Sequence, residues 1–190
     1  GNEIEKAIML YNDVGEIGII DTYLDKILYQ NLADNIKSKA DLNLLKLFGT
    51  ELDLYNITNI VRGKFWNLDD QTINELLVSH TSSTSDELLS KMISAENLKN
   101  SFMELSKTKF SNIIPSESED IVMINEFERK FDLFLYNSLL KEFANMFKLS
   151  TVVSVVRLYD YEIRNLASIS YAVENNIPSE ITMSKIIVPE

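Results

Sequence analysis

The chain has 190 residues, with 29 acidic and 18 basic side chains, a net charge of −11 and no cysteine. The acidic excess argues against non-specific binding to nucleic acid and against charge-driven docking on anionic lipid, because both need clustered basic residues. The lack of cysteine excludes disulfides, thiolate nucleophiles and cysteine-ligated metals, and only 5 Gly and 3 Pro favour long helices.

The first part of the sequence predicts four helices. Residues 3–12 predict a short helix that ends at two glycines, and residues 19–37 predict a second helix. Residues 41–64 predict a long third helix, because its apolar residues follow one another at steps of three and four. The stretch Asn67-Leu-Asp-Asp70 predicts a turn that caps a short fourth helix over residues 70–78.

After a polar linker at residues 79–85, the pattern is again helical. Further helices are predicted at residues 86–94, 96–109, 121–148 and 150–174, with an irregular stretch at 112–120 and a last short helix that starts near Pro178. Residues 151–156 and 181–188 are β-branched and have the propensity of strands. Helical steps of three and four and the lack of hairpin dipeptides favour helices there, so the predicted fold class is all-α.

Two stretches of the chain resemble each other. A shift of 109 residues places Asp53 on Glu162 and Asn56 on Asn165, and one inserted residue then places residues 76–78 on 186–188. Upstream, residues 20–26 match residues 124–130 at a shift of 104. This internal repeat predicts two quasi-equivalent helical bundles. The first bundle is predicted at residues 1–82 and the second at residues 83–190.

The repeated polar pairs are interpreted as structural. Asn56 and Asn165 are each flanked four residues away by apolar or aromatic side chains, which predicts that both amides lie in apolar interfaces. An unpaired buried amide costs about 1–3 kcal/mol, so each asparagine is expected to tie neighbouring elements together. The carboxylates are expected to pair with an arginine or to cap backbone. The residues of this structural set are Asp53, Asn56, Arg62, Glu162, Arg164 and Asn165.

No catalytic, cofactor or metal site is predicted. His80 is the single histidine and lies in the polar linker, and a lone histidine without cysteine cannot form an ordinary zinc site. The glycine-rich phosphate-binding patterns are absent from the sequence, so direct nucleotide binding is not expected. Two alternatives for the acidic pairs stay open, namely acid/base chemistry by Asp53 and Glu162 and contact with another subunit.

The motifs of both copies support a family resemblance. Glu51-x-Asp-Leu-x-Asn-Ile-x-x-Ile-x-Arg-x-Lys64, followed by Ile73-x-Glu-Leu-Leu-Val78, resembles the signature of the C subunits of archaeal A-type ATP synthases and the d subunits of vacuolar-type ATPases, which form one family. Asp160-x-Glu-Ile-Arg-Asn-Leu166, with Asn176-Ile-Pro-x-Glu180 and Ile186-Ile-Val188, resembles that family's closing motif. The chain departs from the family at Phe65-Trp-Asn-Leu68, where a glycine-containing turn is usual, and Tyr171 matches Arg62.

The resemblance implies a fold and a function. It implies a funnel-shaped repeat of three similar bundles. Because this chain shows two copies, it is expected to be the C-terminal two-thirds of such a subunit or a shortened member. It also implies a non-catalytic rotor subunit without a cofactor, peripheral on the cytoplasmic side of the cell membrane. The implied partners are the central-stalk subunits and the membrane proteolipid ring, which such a protein couples for ATP-linked proton or sodium transport, with no nucleic acid.

Two hypotheses compete with the rotor subunit. The first is a free-standing helical interaction module that binds a partner helix in a groove between the bundles. The second is an enzyme built around Asp53 and Glu162.

Overall fold

The computed structural model describes residues 2–37, 42–79, 83–144 and 148–188. Within these ranges the regular structure is helical and no strand is present, which confirms the all-α prediction. The β-branched stretches 151–156 and 181–188 also contain no strand. Among the described helices, none has the length and hydropathy needed to cross a bilayer.

The helices belong to two compact units, Gly1–Ile124 and Asn125–Glu190. The first unit begins with the helices α1 (Asn2–Val14), α2 (Gly18–Lys37), α3 (Leu42–Phe65), α4 (Asp70–Glu75), α5 (Asp86–Ser94) and α6 (Leu98–Met103). Two short 3-10 helices follow, at Glu104–Lys107 and Ser111–Ile113. The remaining helices are α7 (Asp120–Phe143), whose first turn lies in the first unit, and α8 (Leu149–Glu174) and α9 (Ser179–Met183) of the second unit.

The units do not divide at the expected repeat boundary of residues 82 and 83. Helices α5 and α6, which follow that boundary, pack on α3 of the first unit. The helix predicted at 96–109 is shorter at both ends. It begins after the cap Asn97, whose side chain accepts a hydrogen bond from the Asn100 N–H at 2.8 Å, and it ends at Met103, where a 3-10 helix follows. The division of the sequence into two repeats stays a prediction.

Helix α3 forms the centre of the first unit. It packs against α2, α4, α5 and α6, and its side chains Leu54, Ile57 and Ile60 are fully buried. A helix that contacts neighbours on all sides needs apolar or paired side chains around its whole circumference. The apolar steps of three and four therefore predicted where α3 lies in the sequence, although α3 is buried on more than one face.

The end of α3 is fixed by a tight turn and a close helix contact. The Leu68 N–H donates to the carbonyl of Gly63 at 2.9 Å, and Asn67 has a left-handed backbone with φ 55°. This is the Schellman arrangement that ends many helices. Gly63 also faces α4, where a Cβ atom on it would lie 2.7 Å from Cγ1 of Ile73. The contact therefore requires glycine.

The substitution Gly63→Ala should destabilise the first unit by about 1–3 kcal/mol, because the added methyl group overpacks against Ile73. Chemical denaturation with a helical circular-dichroism signal measures this loss. The control Ser90→Ala on the exposed side of α5 should change the free energy of unfolding by less than about 0.5 kcal/mol. Equal stability of Gly63→Ala and the wild type would contradict the close contact.

Candidate functional site

Asn56 joins α3 to the extended segment after α4. Its side-chain Nδ2 donates to the Val78 carbonyl at 2.8 Å, and its Oδ1 accepts from the Val78 N–H at 2.8 Å. Asn59 adds a 3.0 Å bond from Nδ2 to the carbonyl of Leu76. Both asparagines are buried, and they satisfy backbone groups that no helix or strand pairs. We call the two bonds between one asparagine side chain and one backbone residue an asparagine clasp.

Asn165 forms the same clasp in the second unit. Its Nδ2 donates to the Ile187 carbonyl at 2.6 Å, and its Oδ1 accepts from the Ile187 N–H at 2.8 Å. In both copies the clasp spans 22 residues. Asn165 is half-buried rather than fully buried. The equal span shows that the repeated motif has the same local structure in both copies.

The turns between the helices also match at a constant shift of 109 residues. Asn67 and Asn176 both have a left-handed backbone, with φ 55° and 53°. The Leu68 bond to Gly63 is repeated by a bond from Ile177 to Ala172, also at 2.9 Å. The inserted residue expected from the sequence alignment is therefore wrong, because the bonded residue Val78 matches Ile187 rather than Val188.

Asp53 anchors the segment that leads into α5. Its carboxylate is fully buried and accepts hydrogen bonds from the backbone N–H groups and hydroxyls of Ser83 and Thr84. The Lys109 ammonium lies 3.2 Å from Oδ2. The sequence prediction offered an arginine partner or a backbone cap, and the structure gives a cap together with a lysine. The hydroxyl residues Ser83 and Thr84, directly before the helix cap Ser85, were the sequence feature that could have indicated the partners of Asp53.

The charge of Arg62 acts on Asp25 of α2. Burial and Asp21 raise the pKa of the Asp25 carboxyl above its usual value, and the charge of Arg62 opposes this shift. Its counterpart Tyr171 is exposed. The two positions therefore have different surroundings in the two copies.

Glu162 does not repeat the environment of Asp53, because its side chain is exposed. The neighbouring Arg164 instead lies 3.8 Å from Asp132 and 3.5 Å from Asp160, and its guanidinium stacks over Tyr161. The Tyr161 hydroxyl donates to Asp132 at 2.9 Å. Burial raises the pKa of the Asp132 carboxyl, while this hydrogen bond and Arg164 oppose the shift. This cluster connects α7 to α8.

A continuous apolar surface runs along α8. The sequence periodicity placed these side chains on one helix face, and the structure leaves that face exposed. Each is between 57% and 72% accessible to solvent. We call this surface the α8 stripe, and it consists of Val152, Val156, Tyr159, Ile163, Leu166 and Val173. The steps of three and four in the sequence predicted a helix here but did not show whether this face is buried or exposed.

The described residues provide few groups for chemistry. Across residues 2–37, 42–79, 83–144 and 148–188, no cluster of histidine and acidic side chains could hold a metal ion. His80 lies outside the described residues. The carboxylate of Asp53 is already surrounded by donors, which is the environment of a structural anchor.

An all-α chain with clasped helices and a long exposed apolar face has the features of an assembly subunit. The family model described as the ATP synthase (C/AC39) subunit matches residues 1–185, and the chain belongs to this family. The resemblance read from the two motifs is thereby confirmed. Among curated proteins and among solved structures, none matches the chain. The chain is therefore an accessory, non-catalytic subunit of an ATP synthase, associated with other subunits of a membrane-associated complex.

Replacing Asn56 by alanine should lower the free energy of unfolding by about 1–3 kcal/mol, because the Val78 N–H and carbonyl lose their buried partner. Asn165→Ala should cost less, since Asn165 is only half-buried. Urea denaturation compares both variants with the control Asn74→Ala, which changes an exposed asparagine. A loss for Asn56→Ala no larger than that of the control would contradict the clasp.

Substitutions at the same motif position should have a large effect on stability in the first copy and a small one in the second. Asp53→Ala removes the acceptor of several buried hydrogen bonds and should destabilise the protein by at least about 2 kcal/mol. Glu162→Ala changes an exposed side chain and should stay within about 0.5 kcal/mol of the wild type. Thermal unfolding at several denaturant concentrations measures both, and similar losses would show that the two carboxylates have equivalent roles.

Proposed function

We propose that this chain is a non-catalytic rotor subunit that couples the central stalk to the membrane proteolipid ring. In this role it serves ATP-linked transport of protons or sodium ions on the cytoplasmic side of the membrane. Two quasi-equivalent bundles of a funnel-shaped repeat fold are part of the proposal. Family membership supports the setting, and the α8 stripe is the observation that carries the proposal.

The α8 stripe has the size of a protein interaction surface. From Val152 to Val173 it extends for roughly 30 Å, given a rise of about 1.5 Å per residue in a helix. Contiguous exposed apolar side chains of this extent mark contact sites for other proteins. Because the stripe lies along one long helix, it suits a partner that also presents a long helix.

The net negative charge of the first unit favours partners with basic surfaces. Residues 1–124 carry 20 acidic and 11 basic side chains, so this part holds −9 of the total charge of −11. Charge complementarity between subunits speeds association and excludes wrong partners more than it adds affinity. The acidic unit therefore favours contact with a basic surface of a neighbouring subunit.

The asparagine clasps favour a mechanical role. A subunit that passes torque must keep its helices in fixed register while load is applied at its surfaces. Each clasp joins a long helix to the segment that returns along it by two directional hydrogen bonds, which fix their register more closely than apolar packing alone. No group that reacts is needed for this task.

Purified stalk and ring subunits should bind the wild-type chain, and two lysines in the α8 stripe should weaken that binding by at least about tenfold. The double variant Val156→Lys with Ile163→Lys introduces the charges at exposed positions, so its thermal stability should match the wild type. Biolayer interferometry measures the affinities. The control Ser90→Lys with Asn100→Lys adds the same charge on exposed sites of the first unit and should leave binding unchanged.

If the wild-type chain binds neither stalk nor ring, the proposed function is wrong. Binding to an unrelated helical partner in that case would favour the free-standing interaction module. Equal loss of binding in the control pair would instead show a general charge effect.

A further inference from the structure

An open groove lies between α8 and α9 in the second unit. It has a volume of about 500 Å³, and its lining includes Ala167, Tyr171, Ile177, Ile181 and Lys185. Tyr171 and Ile181 are 63% and 53% exposed. We call it the α8–α9 groove. It borders the α8 stripe, because Ala167 and Tyr171 continue the row of Ile163 at steps of four residues along α8.

The first unit shows what fills the matching surface. At the shift of 109 residues, Ile177 and Lys185 correspond to Leu68 and Leu76. Ile19 and Tyr23 of α2 share a hydrophobic cluster with Leu76, and Leu68 packs against it. Leu76 is fully buried there. Helix α2 therefore covers this surface in the first copy.

Further contacts hold α2 in that position. The Lys26 ammonium donates to the Glu75 carbonyl at 2.7 Å, at the end of α4. At the other end, Gly18 faces Trp66, and a Cβ atom on Gly18 would lie 3.0 Å from its ring. Helix α2 is thus fixed against both the long helix and the short helix of its own copy.

Helix α7 does not fill the matching position in the second unit. It contacts α8 around Tyr161, through Asp132 and through the ring of Tyr136 at a centroid distance of 5.4 Å. Tyr161 lies nearly two helical turns before Ala167 along α8. The second unit therefore leaves open the surface that the first unit covers with its own helix.

We propose that the α8–α9 groove receives an amphipathic helix from another subunit of the same ATPase, seated as α2 is seated against α3 and α4. Two large apolar residues four positions apart, like Ile19 and Tyr23, fill the groove between Ile177 and Ile181. A carboxylate on the same helix pairs with Lys185. This inference rests on the proposed function, because that function supplies the complex from which the helix comes.

Lys185 sets the chemistry of the partner and argues against a second copy of this chain. It replaces the buried Leu76, so a helix that covers it must pair its ammonium group or leave a buried charge. Helix α2 presents Ile19 and Tyr23 at this position. The α2 of a second copy would therefore bury Lys185 against apolar side chains, whereas a helix with an aspartate or glutamate there would satisfy it.

Site-specific photo-crosslinking on the full chain tests the occupant. Benzoylphenylalanine replaces the exposed Ile181, and the chain is mixed with purified stalk and ring subunits and then illuminated. Mass spectrometry of the adduct should identify a helical segment of one of those subunits with an acidic residue within one turn of the crosslink. The same probe at the exposed Ser90 on α5 is the control and should not crosslink to that segment.

Two substitutions measure the energetics of the same contact. Lys185→Glu and Ala167→Trp should each weaken binding of the crosslinked partner by about tenfold, through charge repulsion and through filling of the groove. Lys99→Glu and Ser90→Trp change exposed sites of the first unit and should have no effect. Replacing the acidic residue of the partner by lysine should restore binding to the Lys185→Glu chain.

The outcomes separate the two proposals. If no ATPase subunit binds the wild-type chain, the proposed function and this inference both fail. If the subunits bind but position 181 forms no adduct, the groove has no partner helix and only this inference fails. An adduct solely between two copies of the chain, or binding that tolerates both groove substitutions, would overturn it in the same way.

Discussion

The two hydrogen bonds between one asparagine side chain and a single backbone residue hold the long helix and the segment after the short helix together in both copies. After its short helix the chain must return along the long helix as an extended segment, and that segment has no strand to pair with. Each buried backbone group without a partner would cost about 1–3 kcal/mol. One amide supplies both a donor and an acceptor in a fixed geometry, so Asn56 and Asn165 each solve the problem with one side chain. The turn and the short helix can then keep the same geometry in both copies.

The two copies use this common frame for different tasks. In the first unit, α2 packs on Leu76 and covers this part of the fold. The carboxylate of Asp53 also binds the segment before α5 at Ser83 and Thr84. In the second unit the corresponding surfaces are exposed. Residues that stabilise the first copy thus become, at matching positions of the second copy, residues available to other chains. The polar motif identifies the family, whereas the surfaces next to it distinguish one copy from the other.

Sequence reasoning predicted the helices and the family because both depend on local patterns. Helix α5 begins and ends at the predicted residues, since a serine cap and an apolar repeat define it. The partners of Asp53 could not be predicted, because Ser83, Thr84 and Lys109 reach it only through the fold. Periodicity also gave the α8 stripe as one face but could not tell an interior face from an exposed one. The matching of Val78 with Ile187 required hydrogen bonds, since apolar residues in neighbouring positions align equally well by type.

The small buried area of α8 affects local stability and its coupling to assembly. Of the 24 residues of α3, 15 are buried, but only 4 of the 26 residues of α8 are. Regions with few buried apolar contacts open at a lower free energy than the core, and amide hydrogens exchange faster there. Partners that bind only the folded form shift this local equilibrium by mass action. If partners cover α8 as proposed, the second unit should open less often in the complex than alone, and proteolysis of α8 should be faster in the unassembled chain.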